Sequence, residues 1–330
     1  MSVSIKDIAR AAGLSTATVS LALNGSSKIN AHTRQRIERI AREMGYQPNP
    51  FARQLVTRRS RQIGLIVPDL ENVYYASLAQ TLFQHLSASG YGLSISTSMN
   101  MPLAERRAVG DLMANRMEAI LLAPVHVPNP GTAYLERLKE AQIPLLFVTS
   151  RYPEVDSPCV MCDLYTGMKD LCGVLYRTGR RRIALLTGAE QVYGMDLRTR
   201  GYQDFCREMG LEYQSIVHLN QVGYAEAQQH IRSLSKIDAD AFVCVNDMMA
   251  LGVVNALRER GISIPDMVAV GGYDDVIFSE VSPVPITTVR QDISAIAAAA
   301  ANAVLNLVQD HRQEGDQILP CRVIIRNSAG

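Results

Sequence analysis

Eleven Lys and Arg side chains fall within the first 62 residues, from Lys6 to Arg61, against only Asp7, Glu38 and Glu43. That stretch carries a net +8 in a chain whose total is +1, which leaves −7 on the remainder. Cations at this density neutralise phosphates, so the asymmetry points to a nucleic-acid-binding head on an acidic body. A second polar set recurs further along, each member just after an apolar run: Asp69 and Asn72, Ser150 and Arg151, Asn246 and Asp247, and Asp274. Ligands of open α/β sheets bind outside the carboxyl ends of strands, so residues there can hydrogen-bond a small molecule. Singly, each is equally what a loop uses for capping and solvation. Their recurrence argues for one shared cleft.

Covalent chemistry is not indicated. The six histidines show no H-E-x-x-H spacing, and neither G-x-S-x-G nor a phosphate-cradling glycine loop occurs. No enzyme, cofactor or metal is therefore expected. Cys159 and Cys162 form a C-x-x-C, but 158–163 reads as a strand, on which residues three apart point to opposite faces. The remaining cysteines, Cys172, Cys206, Cys244 and Cys321, are scattered, mostly in apolar runs, as in a reducing compartment.

The basic head must hold its recognition residues on helices. Ile5, Ile8, Ala9 and Ala12 recur at helical spacing, with Ser4 and Asp7 placed as a capping box and Gly13 as the stop. Ser15 caps a second helix whose Val19 and Leu23 form one apolar stripe. Thr16, Ala17, Ser20 and Leu21 are left facing elsewhere, small enough to enter a major groove. A third helix is expected over 31–44, capped by Asn30 and ended by Gly45. Asn49 and Pro50 then open a helix of about seven residues through Val56, too short to be stable alone and so a candidate switch.

This run, with its "ATVS", "LNG", "TRQRI", "MGYQPN" and "ARQL" segments, closely resembles the DNA-binding headpiece and hinge of the lactose-repressor (LacI/GalR) family of bacterial transcription regulators. The resemblance implies a helix-turn-helix domain over 1–47, a hinge helix and linker over 48–61, and an effector-binding and dimerisation core over 62–330. It also implies DNA contacts from Ser15, Thr16, Ala17, Thr18, Ser20, Leu21, Asn24, Arg53 and Leu55, the last as a minor-groove wedge. Leu21 stands where relatives often carry an Arg or His, which should shift operator preference from guanine towards a thymine methyl.

Beyond Gln62 short apolar strands alternate with helical segments. Strands are expected at 63–67, 93–95, 119–122 and 144–148, and the pattern restarts with strands at 183–186, 216–219, 241–245 and 268–270. The fold class is therefore a small all-α head plus an α/β core of two doubly wound parallel-sheet lobes, which the resemblance implies is periplasmic-binding-protein-like. The lobes are expected near 62–161 with 291–319, and 162–290 with 320–330. From the resemblance, Asn72, Tyr74, Tyr75, Arg151, Arg198, Asn246, Asp274 and Gln291 fall where relatives place ligand contacts. Such residues suit sugar hydroxyls, with Tyr rings stacking on the C–H face. Ser150 and Val222 depart from the ribose-binding pattern, which leaves another sugar, a phosphorylated sugar or a nucleobase open.

The expectation is an effector-responsive regulator, a repressor, acting as a homodimer on double-stranded operator DNA. A free-standing soluble sugar-binding module, or a regulator whose signal is a protein partner, is the alternative. The N-terminus lacks an apolar segment behind a basic start and no run can span a bilayer, so a cytoplasmic protein is expected.

Overall fold

A computed structural model describes residues 3–23, 26, 28–46, 59–309 and 315–330, and the chain divides into two compact units, 1–60 and 61–330. The first unit holds α1 (Ile5–Ala12), α2 (Thr16–Leu23) and α3 (Ala31–Glu43). Each start follows from a cap. Ser4 donates from its backbone N–H and its hydroxyl to Asp7 Oδ2, at 3.0 and 2.6 Å. These two bonds hold the Asp7 carboxyl below the usual range. Ser15 Oγ accepts the Thr18 N–H at 3.1 Å, and Asn30 Oδ1 accepts that of Thr33 at 2.8 Å. Gly13 ends α1 at φ 64°, a conformation open to glycine at little cost. The buried contacts come from Ile8, Ala9, Ala12, Val19, Ala22, Ile37 and Ala41. The three helices pack against one another through these residues.

The second unit contains two six-stranded sheets. The first comprises β1 (Gln62–Val67), β2 (Gly92–Thr97), β3 (Ala119–Leu122), β4 (Leu145–Val148), β5 (Cys159–Cys162) and a late strand, Gln317–Leu319, in the order late strand-5-4-3-1-2. The second comprises β6 (Ile183–Thr187), β7 (Ser215–His218), β8 (Ala241–Cys244), β9 (Ala269–Asp274), β10 (Thr287–Arg290) and a last strand, Arg322–Ile324, in the order last strand-10-9-8-6-7. We number those closing strands β11 and β12. All described pairings are parallel except that of β10 with β12. In each sheet the first strand lies between the next two in sequence, and this order creates a switch point at its carboxyl end. Helices α4 (Val73–Ala88), α5 (Pro102–Ala114) and α6 (Glu136–Glu140) belong with the first sheet. With the second go α7 (Leu164–Arg177), α8 (Tyr193–Glu208), α9 (Tyr224–Ser233), α10 (Asp247–Glu259) and α11 (Ile277–Val281). Helix α12 (Ile293–Gln309) returns to pack on α4 and the first sheet.

The chain therefore crosses between sheets three times: after β5, after β10 and between β11 and β12. Two elements run further than their residue pattern suggests. Helix α8 starts at Tyr193, five residues before Arg198, through a first turn that contains Gly194. Strand β9 continues through Gly271 and Gly272 to Asp274. At Gly272 a Cβ would lie 2.2 Å from Asp247 Oδ1, so glycine is required there by the neighbouring side chain.

Candidate functional site

On the head, Ser15, Thr16, Ala17 and Leu21 are exposed along one side of α2, while Val19 and Ala22 are buried on the other. Thr18 and Ser20 are half-buried, and Thr18 Oγ1 lies 2.8 Å from Ser15 Oγ within the cap. Leu21 is 40% exposed, an apolar side chain kept in solvent with no part in the head's core. Two of the basic residues serve the fold: Arg36 donates to the Ala12 carbonyl at 3.1 Å, at the end of α1, and Arg34 to the Ser26 carbonyl at 2.7 Å. Asn24, Arg53 and Leu55, with the expected hinge helix, lie outside the described residues.

In the core, the carboxyl ends of both sheets face one cleft. Asn72 follows β1 and caps α4, its Oδ1 accepting the Tyr74 N–H at 3.1 Å. Asn246 follows β8 and caps α10, accepting from Met249 at 2.8 Å and donating to the Val222 carbonyl at 2.9 Å. Between them runs a buried chain of polar contacts. The Tyr74 hydroxyl donates to Gln291 Oε1 at 3.2 Å, Gln291 Nε2 donates to Asp274 Oδ1 at 2.7 Å, and Arg198 Nη2 lies 3.6 Å from that same oxygen. The Arg198 guanidinium rests 4.3 Å from the Tyr273 ring centroid and donates to the Gly194 carbonyl at 3.2 Å. Its Nε is buried without an acceptor among the described residues.

Burial sets the protonation states. Asp274 is pushed up to about 6 by loss of water, opposed by Arg198 and by the Gln291 hydrogen bond. His126 is pushed down to about 4 by burial, with Arg198 adding to the effect, so its imidazole is neutral at neutral pH. Its Nε2 is 3.1 Å from the Tyr75 hydroxyl. Burial also raises the Tyr74 and Tyr75 phenols, which stay protonated.

Seven of the eight expected contact residues line this cleft, as does Ser150. Arg151 does not. Its Nη1 pairs with Asp316 Oδ2 at 2.5 Å and its Nη2 reaches the Val155 and Ser157 carbonyls, so the side chain turns into a neighbouring cavity of about 390 Å³. Asp69 accepts the Glu71 N–H at 2.7 Å in a turn, and Asp247 is buried against Thr288 and the Val276 N–H. Neither reaches the cleft lining. The lining residues that the sequence did not single out are His126, Thr149, Val192, Gly194, Met195 and Val245. Only His126 left a signal, as a polar residue shortly after β3. The cleft itself encloses about 40 Å³.

Residues 4–49 match the model for bacterial regulatory proteins of the lacI family, and 173–329 match that for a periplasmic binding protein-like domain. The head thus carries a lacI-family DNA-binding region and the core a periplasmic binding protein-like domain. Among its relatives, the HTH-type transcriptional regulator DegA of Bacillus subtilis is 27% identical over 99% of this chain and 98% of its own. The HTH-type transcriptional repressor CytR of Escherichia coli is 27% identical over 98% and 95%. In three dimensions the chain is similar to a lac repressor dimer bound to operator and the anti-inducer ONPF, with a TM-score of 0.89 over 100% of this chain and 99% of that one, at 24% identity. The protein is a DNA-binding transcription regulator. No helix among the described residues is long and apolar enough to cross a membrane.

Proposed function

We propose that this regulator represses transcription as a homodimer on operator DNA and that a neutral polyhydroxylated ligand, a sugar or sugar derivative, controls it from the cleft. The buried run Tyr74, Gln291, Asp274, Arg198 carries the reading. It offers directional donors and acceptors, one cation and one anion, beside a neutral His126. A phosphorylated sugar would bring roughly two negative charges next to Asp274 with a single, already paired arginine to meet them. A nucleobase suits a parallel-walled slot, whereas Tyr74 and Tyr75 meet at 79°. The cleft is assigned binding and not catalysis: its carboxylate is held by Arg198 and Gln291, and its imidazole by Tyr75.

Ligand pockets measure about 300–1,000 Å³. At about 40 Å³ the cleft is too small for a sugar ring, so binding requires the lobes to part or the lining to move. Binding is thereby coupled to a conformational equilibrium, the requirement for control at a distance. Ser15, Thr16, Ala17, Thr18, Ser20 and Leu21 are assigned to the major groove, and Asn24, Arg53 and Leu55 to the remaining DNA contacts. A regulator of chromosomal DNA acts in the cytoplasm.

A thermal-shift series over neutral sugars, sugar phosphates and nucleosides tests the ligand class, because saturation at 100 times Kd adds about 2.7 kcal/mol. Stabilisation by sugar phosphates alone would overturn it. Duplex binding should weaken with salt at a log-log slope of about −5 to −10 for six to ten neutralised phosphates. A salt-independent or undetectable DNA affinity would favour a free-standing sugar-binding module.

A further inference from the structure

Two thiols meet where the lobes are joined. Cys162 ends β5 at the first crossover, and Cys321 lies on the third, between β11 and β12. The late strand pairs Leu319 with Cys162, and the Asp163 N–H donates to the Leu319 carbonyl at 2.8 Å, which brings these two crossovers side by side. The Cys162 and Cys321 thiols lie close enough to shift each other's ionisation, and the backbone of Asp292, on the second crossover, acts on the Cys162 sulfur as well. All three connections thus converge on one sulfur. The Tyr273 hydroxyl lies 3.6 Å from Cys321 Sγ, and the Tyr273 ring carries Arg198 of the cleft.

We propose that Cys162 and Cys321 are a peroxide-oxidisable thiol pair whose disulfide ties the crossovers between the two lobes. Cys321 is half-buried and Cys162 fully buried, so an oxidant reaches Cys321 first. The neighbouring Cys162 thiol, then the Tyr273 hydroxyl and the nearby Arg198 charge, hold the Cys321 thiol below its ordinary value against the cost of burial. Cys162 is raised first by its Cys321 neighbour and then by burial, and burial raises the other four, Cys159 to about 12, which leaves those thiols protonated and slow to react. The C-x-x-C is not the pair: Cys159 Sγ is directed to the Ser150 carbonyl at 3.5 Å.

The chemistry balances with one peroxide. The Cys321 thiolate attacks the O–O bond, gains a hydroxyl as sulfenic acid and releases hydroxide. Cys162 sulfur then attacks Cys321 sulfur, the S–S bond forms, the S–O bond breaks, and the departing hydroxyl leaves as water with the Cys162 proton. One equivalent of hydrogen peroxide is reduced to two waters as two thiols are oxidised.

The test uses the full chain with hydrogen peroxide and needs no effector or DNA, so it stands or falls apart from the ligand assignment. All six cysteines are free thiols. Titration in denaturant should fall from six thiols to four and return to six with a thiol reductant, and mass spectrometry should find a peptide linking Cys162 to Cys321, two hydrogens lighter. Cys321→Ser should lose no thiols and Cys159→Ser should still lose two. Cys162→Ser should leave a dimedone-trappable sulfenic acid at Cys321. Amide exchange over 162–164 and 319–322 should slow in the oxidised protein. Six thiols surviving excess peroxide, a link that uses Cys159, or unchanged exchange at the crossovers would overturn the proposal.

Discussion

The first lobe lines the cleft with Asn72, Tyr74, Tyr75, His126 and Ser150, all neutral at neutral pH, whereas the second lobe supplies Arg198 and Asp274. The charged pair is assembled within one lobe, between α8 and the end of β9, and is present whether or not the lobes move. Contacts across to the first lobe run through Gln291 and the Tyr74 hydroxyl, which are uncharged. Net hydrogen bonds between neutral groups contribute about 1 kcal/mol each, against roughly 1.5–3 kcal/mol where a charge takes part. On the proposed function, the second lobe would therefore supply the larger share of ligand affinity, and the first lobe a closure weak enough to reverse.

The strongest challenge to that division is Arg198→Ala. Breaking a buried pair by removing one partner typically costs about 3–5 kcal/mol, because the other charge is left without compensation. The variant should lose that much stability at pH 7 in urea denaturation and give no effector response in a gel-shift titration. At pH 5, where Asp274 is protonated, the stability loss should shrink. A normal effector response would show that the charged wall is not the binding wall.

Titration of Asp274 itself is the next largest effect. Its folded pKa, about 6, lies above its ordinary 3.8, so its contribution to stability is fully present below about pH 4 and is lost as pH rises through about 6. The shift corresponds to about 3 kcal/mol. Asp274→Asn should remove that part of the pH dependence, giving a flatter unfolding free energy between pH 4 and 6. Effector affinity should have the opposite sign, since the proposed role of the carboxylate is to accept from ligand hydroxyls. It should fall with pH below about 6 by up to tenfold per unit, as isothermal titration would read. Affinity constant from pH 5 to 7 would remove Asp274 from the contact set.

On the neutral wall, Tyr74→Phe deletes the donor to Gln291 Oε1 without changing the ring. The expected cost is about 1 kcal/mol, near fivefold in effector affinity. A loss as large as that of Arg198→Ala would erase the proposed difference between the lobes.

Much of this arrangement is readable from residues alone, and the failures have local causes. Asn72 and Asn246 are visible because an asparagine after an apolar strand and before a helical run is a cap in either lobe. Arg151 misleads because sequence adjacency does not fix direction: Thr149 stands at φ 66°, and after this bend Ser150 enters the cleft while Arg151 turns to Asp316. His126 sits four residues beyond the end of β3, held by the Asn100 side chain, which accepts its backbone N–H at 2.6 Å. No periodicity marks such a position. The partner of Cys162 could not be read at all, since it depends on the register of a three-residue strand that returns from the far end of the chain.

The two caps give the finest comparison, because the same residue performs the same task in each lobe. Asn72 makes one capping bond, from Tyr74, at 3.1 Å. Asn246 makes a shorter one, from Met249, at 2.8 Å, and adds a donor bond to the Val222 carbonyl that ties the loop before α9 to the start of α10. Replacing a cap by alanine costs about 1 kcal/mol, and the second bond about another 0.5–1.5 kcal/mol. Asn246→Ala should therefore destabilise the core by about 2 kcal/mol and Asn72→Ala by about 1 kcal/mol, measured by urea denaturation at pH 7. Aspartate keeps the capping acceptor but loses the donor, so Asn246→Asp should recover the cap and not the Val222 bond. Asn72→Asp should recover nearly all of its smaller loss. Equal costs for the two alanine variants would mean that the Val222 bond adds nothing and that the lobes are capped alike.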